Sequence, residues 1–153
     1  MSTTVGSDDE GLLTLDLPER RAAPAAARKA LAAFNGSLGL VSDERLLDAQ
    51  LLVSELVTNS LVHGGGEDDG VRVIVRARPR ALRVEVIDAG EGFDPSTLRL
   101  PSSSRRGGRW GLHIVAMLAD RRGVDAGGPT AVWFEIDMPQ QKRFSRPQLV
   151  AAQ

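Results

Sequence analysis

At 153 residues the chain has room for one domain with tails, and 42% hydrophobic with 25% charged residues is a globular composition. A formal net charge of -1, and no run near the roughly 20 apolar residues of a membrane span, argue against nucleic acid and membrane as partners. No cysteine is present, which excludes disulfides and thiolate metal sites; with no basic-then-apolar start in MSTTVGSDDEG, a cytoplasmic protein is expected.

Residues 1–10 are polar and acidic and read as a disordered tail, leaving 11–138 as the domain and 139–153 as a flexible polar tail. Leu13, Leu15 and Leu17 alternate with polar residues, a short half-buried strand that Pro18 ends. Residues 19–35 are rich in Ala, Arg and Lys and carry Ala30, Leu31 and Phe34 at helical spacing. Pro24 belongs in the first turn of that helix, and Asn35-Gly36 is its expected stop. Ser42 caps a second helix running to His63, with Leu46, Val53, Val57 and Leu61 on one side and Glu55, Asn59 and His63 at i, i+4, i+8 on the other. VRVIVRA (71–77) and LRVEVID (82–88) alternate apolar and charged residues around Pro79-Arg80, an antiparallel hairpin. Residues 89–108 read as one long loop, 110–120 as an apolar helix, Val124-Asp125 as a brief strand and 131–138 as a strong one. The order predicts an α+β two-layer sandwich, with helices on one face of a mostly antiparallel sheet.

Three segments carry chemistry. Glu55 and Asn59 stand one turn apart on a helix of otherwise largely apolar residues, where a carboxylate and an amide need partners. A hard cation such as Mg²⁺ would satisfy the amide oxygen of Asn59, and Glu55 would accept a proton from a hydroxyl or water. A solvent-facing polar stripe is the plainer alternative. The turn IDAGEGFDP places the carboxylate of Asp88 at the end of an apolar strand, with Gly90 and Gly92 permitting close approach of a flat ligand. Such a carboxylate can accept the exocyclic amine of adenine. An ordinary hairpin exit is the alternative; a calcium loop would lack its later bidentate Glu. In SSSRRGGRWGLHIV a basic, glycine-rich loop runs into a helix N-terminus, where free amides and Arg105, Arg106 and Arg109 favour phosphate. A solvated loop before a core helix is the bland reading there. Neither His63 nor His113 has a second ligand at metal-binding spacing, which argues against zinc.

Taken in order, ELVTNSLVH, IDAGEGFDP, GGRWGLHIV and GGPTAVWFEI resemble the GHKL ATPase superfamily, and within it small bacterial anti-sigma factors of the serine-kinase type, over about residues 12–138. The resemblance implies a Bergerat-type fold holding ATP and Mg²⁺. It makes Glu55 the general base, Asn59 the Mg²⁺ ligand, His63 a neighbour of the phosphates, and Asp88 the adenine carboxylate with Gly90 and Gly92 shaping its pocket. Gly108, Gly111 and Leu112 match the lid-to-helix phosphate motif, with Arg105 and Gly107 of the basic, glycine-rich loop as further candidates for the phosphate site, and Thr130 falls where a threonine backs the adenine site. Its implied activity is transfer of the γ-phosphate to a serine of an antagonist protein, with the domain otherwise sequestering a sigma factor, and a homodimer is its implied assembly. An ATP-gated binding module and a stand-alone ATP hydrolase are the alternatives. The sequence departs from the pattern at Arg109, where relatives commonly have glycine, and at Trp110 before Gly111. No transducer region follows in this sequence, so action on another protein is expected.

Overall fold

The structure is a computed structural model that describes the backbone of Thr3–Thr4 and residues 11–18, 20–63, 70–88, 117–125 and 129–139, with the backbone alone at His63 and Asp88. Among these residues lie β1 (Thr3–Thr4), β2 (Leu12–Leu17), α1 (Ala23–Leu38), α2 (Asp43–His63), β3 (Val71–Ala77), β4 (Ala81–Asp88), β5 (Arg121–Asp125) and β6 (Ala131–Asp137). The strands form one antiparallel sheet in the order β1-β2-β3-β4-β6-β5. Both helices cover one face, giving the expected α+β two-layer sandwich.

The alternation read in the sequence sets the layers. Leu13, Val75, Val84 and Phe134 stand side by side across four strands and are all buried, as are Leu15, Val73 and Val86 in the next row. Against them pack Ala23, Ala27 and Leu31 of α1 and Ala49, Leu52, Val53, Leu56 and Val57 of α2. Each large apolar side chain removed from water here contributes about 1.5–3 kcal/mol before chain entropy is subtracted. Thr3 and Thr4, within the stretch expected to be a tail, pair with Leu15 and Thr14.

The helix starts follow the sequence. Pro24 stands in the first turn of α1, where its missing N–H costs nothing. Ser42 Oγ accepts the Arg45 N–H at 3.4 Å, at the N-terminus of α2. The expected stop at Asn35-Gly36 is overturned. α1 continues to Leu38, and Gly39, at φ 58°, adopts the left-handed conformation that ends it. Asn35 turns inward instead of breaking the helix. It is buried, accepts the backbone N–H groups of Leu40 and Val41 at 3.0 and 2.9 Å, and donates to Val41 O at 3.2 Å. One side chain thus satisfies the buried backbone of the α1–α2 connection. The first strand after the loop, expected as Val124-Asp125, is also longer, running from Arg121 to Asp125.

Candidate functional site at the C-terminal end of α2

The orientation of α2 decides which residues meet. At its N-terminal end Arg45 donates to Asp120 Oδ2 at 2.5 Å and to Leu118 O at 3.3 Å, and Asp120 Oδ2 also accepts the Asp137 N–H at 2.7 Å. Asp137 pairs with Ala81, so α2 begins at the end of the sheet where β4 starts and β6 finishes. At the other end Arg20, just beyond Leu17 of β2, donates to the carbonyl of Leu61. Leu17 pairs with Val71, and Val71 with Asp88. The C-terminal half of α2, with Glu55 and Asn59, therefore lies toward the sheet end that carries Asp88.

Asp88 occupies the last register position of β4, in the row Leu17–Val71–Asp88, whose other two members are buried under the helices. Thr130 immediately precedes β6, and the final β4–β6 pair is Ile87–Ala131. Asp88 and Thr130, 42 positions apart by residue number, are thus the next residues beyond one ladder rung. Antiparallel pairing brings them together; nothing in their local sequence does.

On α2, Glu55 and Asn59 are both partly buried. Asn59 Nδ2 is shielded from solvent with no hydrogen-bond partner among the described residues, and so is the neighbouring Ser60 Oγ. An unsatisfied buried amide costs about 1–3 kcal/mol, so a group of this kind points to a ligand that completes it. A half-turn of the carboxamide exchanges nitrogen for oxygen, so the same position can offer an oxygen to a cation. The donor set fits a Mg²⁺ ion that takes one or two protein oxygens and leaves its other positions to phosphate and water. Among the described residues no group of three or more His, Asp or Glu side chains is placed to hold a metal by itself.

Ser60 was not singled out in the sequence, although the polar run Thr58-Asn59-Ser60 in an apolar helix marks it. Three polar side chains where α1 meets α2 are satisfied locally. Arg28 donates to Ser54 Oγ at 2.8 Å, Ser54 to Gln50 O at 2.8 Å, and Gln50 to Arg28 O at 3.1 Å. Asn59 and Ser60 stand apart from that ring of bonds. The side chains of His63 and Asp88, together with Gly90, Gly92, Arg105, Gly107, Gly108, Gly111 and Leu112, lie outside the described residues.

Comparison with known proteins bears on the same stretch. The family model for the histidine kinase-like ATPase domain matches residues 17–135, from the end of β2 into β6. The chain is similar to the anti-sigma F factor of Clostridium botulinum (strain Eklund 17B / Type B), at 33% identity over 87 residues, 56% of this chain and 60% of that protein. It is also similar to the anti-sigma F factor of Clostridium beijerinckii, at 40% over 70 residues, 44% of this chain and 48% of that protein. In each case the similarity spans less than two thirds of the relative's length. From the extent of the family match, the chain belongs to the histidine kinase-like ATPase domain family, and ATP is the ligand that membership implies.

Proposed function

We propose that this chain is an ATP-dependent anti-sigma regulator that transfers the γ-phosphate of ATP to a serine of an antagonist protein and, in its other state, holds a sigma factor. The observation that carries this reading is the unsatisfied amide of Asn59, one turn from Glu55, at the sheet end shared by Asp88 and Thr130. Membership of an ATPase family and similarity to proteins named anti-sigma F factor support the regulatory part.

In this reading Asp88 accepts the amine of adenine from the floor of the site, and Thr130 backs the ring. Asn59 would hold Mg²⁺, which when bound draws charge from the phosphate oxygens. Arg105 and the amides around Gly107, Gly108, Gly111 and Leu112 contact the phosphates, with His63 nearby. Glu55 takes the proton of the attacking serine as its Oγ bonds to the γ-phosphorus. The bond from that phosphorus to the bridging oxygen breaks, and ADP leaves with the electron pair. Little covalent chemistry is asked of the protein beyond placement and charge.

A second reading, an ATP-gated binding module without transfer, is favoured by Arg109, which stands where the resemblance calls for glycine, and by the bulky Trp110 before Gly111. Incubation with γ-labelled ATP, Mg²⁺ and candidate antagonist proteins, beside Glu55→Ala, separates the two. Label on a partner serine that requires Glu55 supports transfer. Tight nucleotide binding without label on any partner supports the module, and no nucleotide binding removes both.

A further inference from the structure

The outer face of α2 carries a stripe that the fold leaves uncovered. Leu47, Leu51 and Val62 are 67%, 41% and 67% exposed, and with Thr58 they fall within about 60° of one another around the helix. Three large apolar side chains in one line on a single helix are more than scattered surface hydrophobics. One flank is acidic, with exposed Glu44 and partly buried Asp48 and Glu55; the other carries Arg28. Asp43 and Glu44 add exposed negative charge at the first turn.

The chain leaves β6 beside that first turn. Asp137, the last residue of β6, shares the Asp120 carboxylate with Arg45 of α2, and Met138 donates its N–H to Arg80 O. Residues 140–153 then read QKRFSRPQLVAAQ after Gln140, with Lys142, Arg143 and Arg146 basic, no acidic residue, and Phe144, Leu149 and Val150 apolar. The exit has three neighbourhoods. Arg78 and Arg80 make the hairpin turn basic; on the edge strand Arg121 is paired with Glu135 and Asp137, and Asp120 is held by Arg45, so the exposed Asp43 and Glu44 of α2 are the acids at this end left for a basic segment. Fully extended, residues 140–153 reach roughly 45 Å. α2 is about 30 Å long.

We propose that residues 140–153 dock along this stripe, with Phe144 on Leu47 and Leu51, Leu149 and Val150 on Val62, and the basic residues against Asp43 and Glu44. The chain thereby covers the outer face of the helix that carries Glu55 and Asn59. Apolar area drives the contact, and the acidic flank sets its side and direction. The inference does not rest on ATP as ligand.

A chain without cysteine allows a direct test. Full-length protein with Val62→Cys and Val150→Cys is oxidised mildly at low concentration without nucleotide, beside Arg80→Cys with Val150→Cys. The control site lies nearer the exit, so an undocked tail favours it. Docking predicts an intramolecular disulfide at 62–150 at least about tenfold faster than at 80–150, because docking raises the local concentration of one thiol at the other. Adding Lys142→Glu, Arg143→Glu and Arg146→Glu should remove the difference. Equal rates for the two pairs, crosslinks only between chains, or insensitivity to the charge reversal would each overturn the proposal. ATP affinity, measured separately on unsubstituted protein, has no bearing on that outcome.

Discussion

Arg83 lies flat against Trp133, its guanidinium carbon 3.9 Å from the ring centroid. Both are on the sheet face opposite the helices, in adjacent rows of β4 and β6. Arg83 is nonetheless buried, because it also donates to Glu85 at 2.7 Å, Glu135 at 3.3 Å and Asp125 at 3.0 Å, tying three strands together. Replacing it with Met keeps the stem but removes its bonds to three carboxylates and leaves Glu135, which is itself buried, to Arg121 at 2.7 Å. A loss of about 2–3 kcal/mol is expected in urea unfolding, with no change in nucleotide affinity, since the face is remote from α2.

Glu135 gives the same network a pH dependence. Burial raises its pKa, but the hydrogen bonds and charges of Arg121 and Arg83 outweigh that and hold it below the ordinary glutamate range. A carboxyl lowered on folding stabilises fully above its unfolded pKa of about 4.3 and loses that contribution as pH falls through the lowered folded value. The stability difference between wild type and Glu135→Gln should be constant from pH 8 to about 5 and shrink below about 4. A difference that grows on acidification would contradict the assigned direction.

Gly123 sits beneath the same tryptophan. A Cβ there would come within 2.5 Å of Trp133 Cζ2 and 2.8 Å of Cε2. Gly123→Ala must push the indole off Arg83 or bend the edge strand, and about 1–3 kcal/mol of destabilisation is expected. Because Trp133 is one of only two tryptophans, its emission should shift with the substitution. Unchanged emission and stability would show that the ring has room to move.

The layers were legible because period-two alternation in 71–77 and 82–88 specifies which face is buried, and the i, i+4 placement of Glu55 and Asn59 survives in the helix. The burial of Arg83 was not legible. Alternation marks Arg83 as solvent-facing, and only cross-strand neighbours reveal that Trp133, Glu85 and Glu135 close around it. Asn35 was misread for a related reason. Asn-Gly is a local stop signal, yet a partner five and six residues ahead, in Leu40 and Val41, holds the side chain inward. The adjacency of Asp88 and Thr130 likewise follows from strand order, which no local motif encodes.

Asn35→Ala should therefore behave as a core lesion. It leaves the buried N–H groups of Leu40 and Val41 without an acceptor and opens space beneath the α1–α2 connection. A cost of about 2–4 kcal/mol is expected. Asn35→Asp keeps both acceptors but loses the donor to Val41 O and buries a charge, so it should recover only part of that loss. Thermal unfolding of the two variants at neutral pH checks the order.

Asn59→Ala should separate fold from function. Its Nδ2 has no partner among the described residues, so removing the amide sacrifices no hydrogen bond of that atom and relieves an unsatisfied group. Stability should change by less than about 1 kcal/mol, in contrast to Asn35. Ser60→Ala, which removes a second orphaned atom, should be neutral or stabilising for the same reason. If Asn59 supplies the protein oxygen to Mg²⁺, its alanine variant should bind ATP with little difference between Mg²⁺ and a chelator. The wild type should gain at least about tenfold in affinity from the metal, as expected for an ion that links the protein to phosphate. Calorimetric titration with and without Mg²⁺ reads that increment directly. An intact increment in Asn59→Ala would remove Asn59 from the metal site. A large loss of stability would instead make it a structural residue whose partner lies outside the described chain.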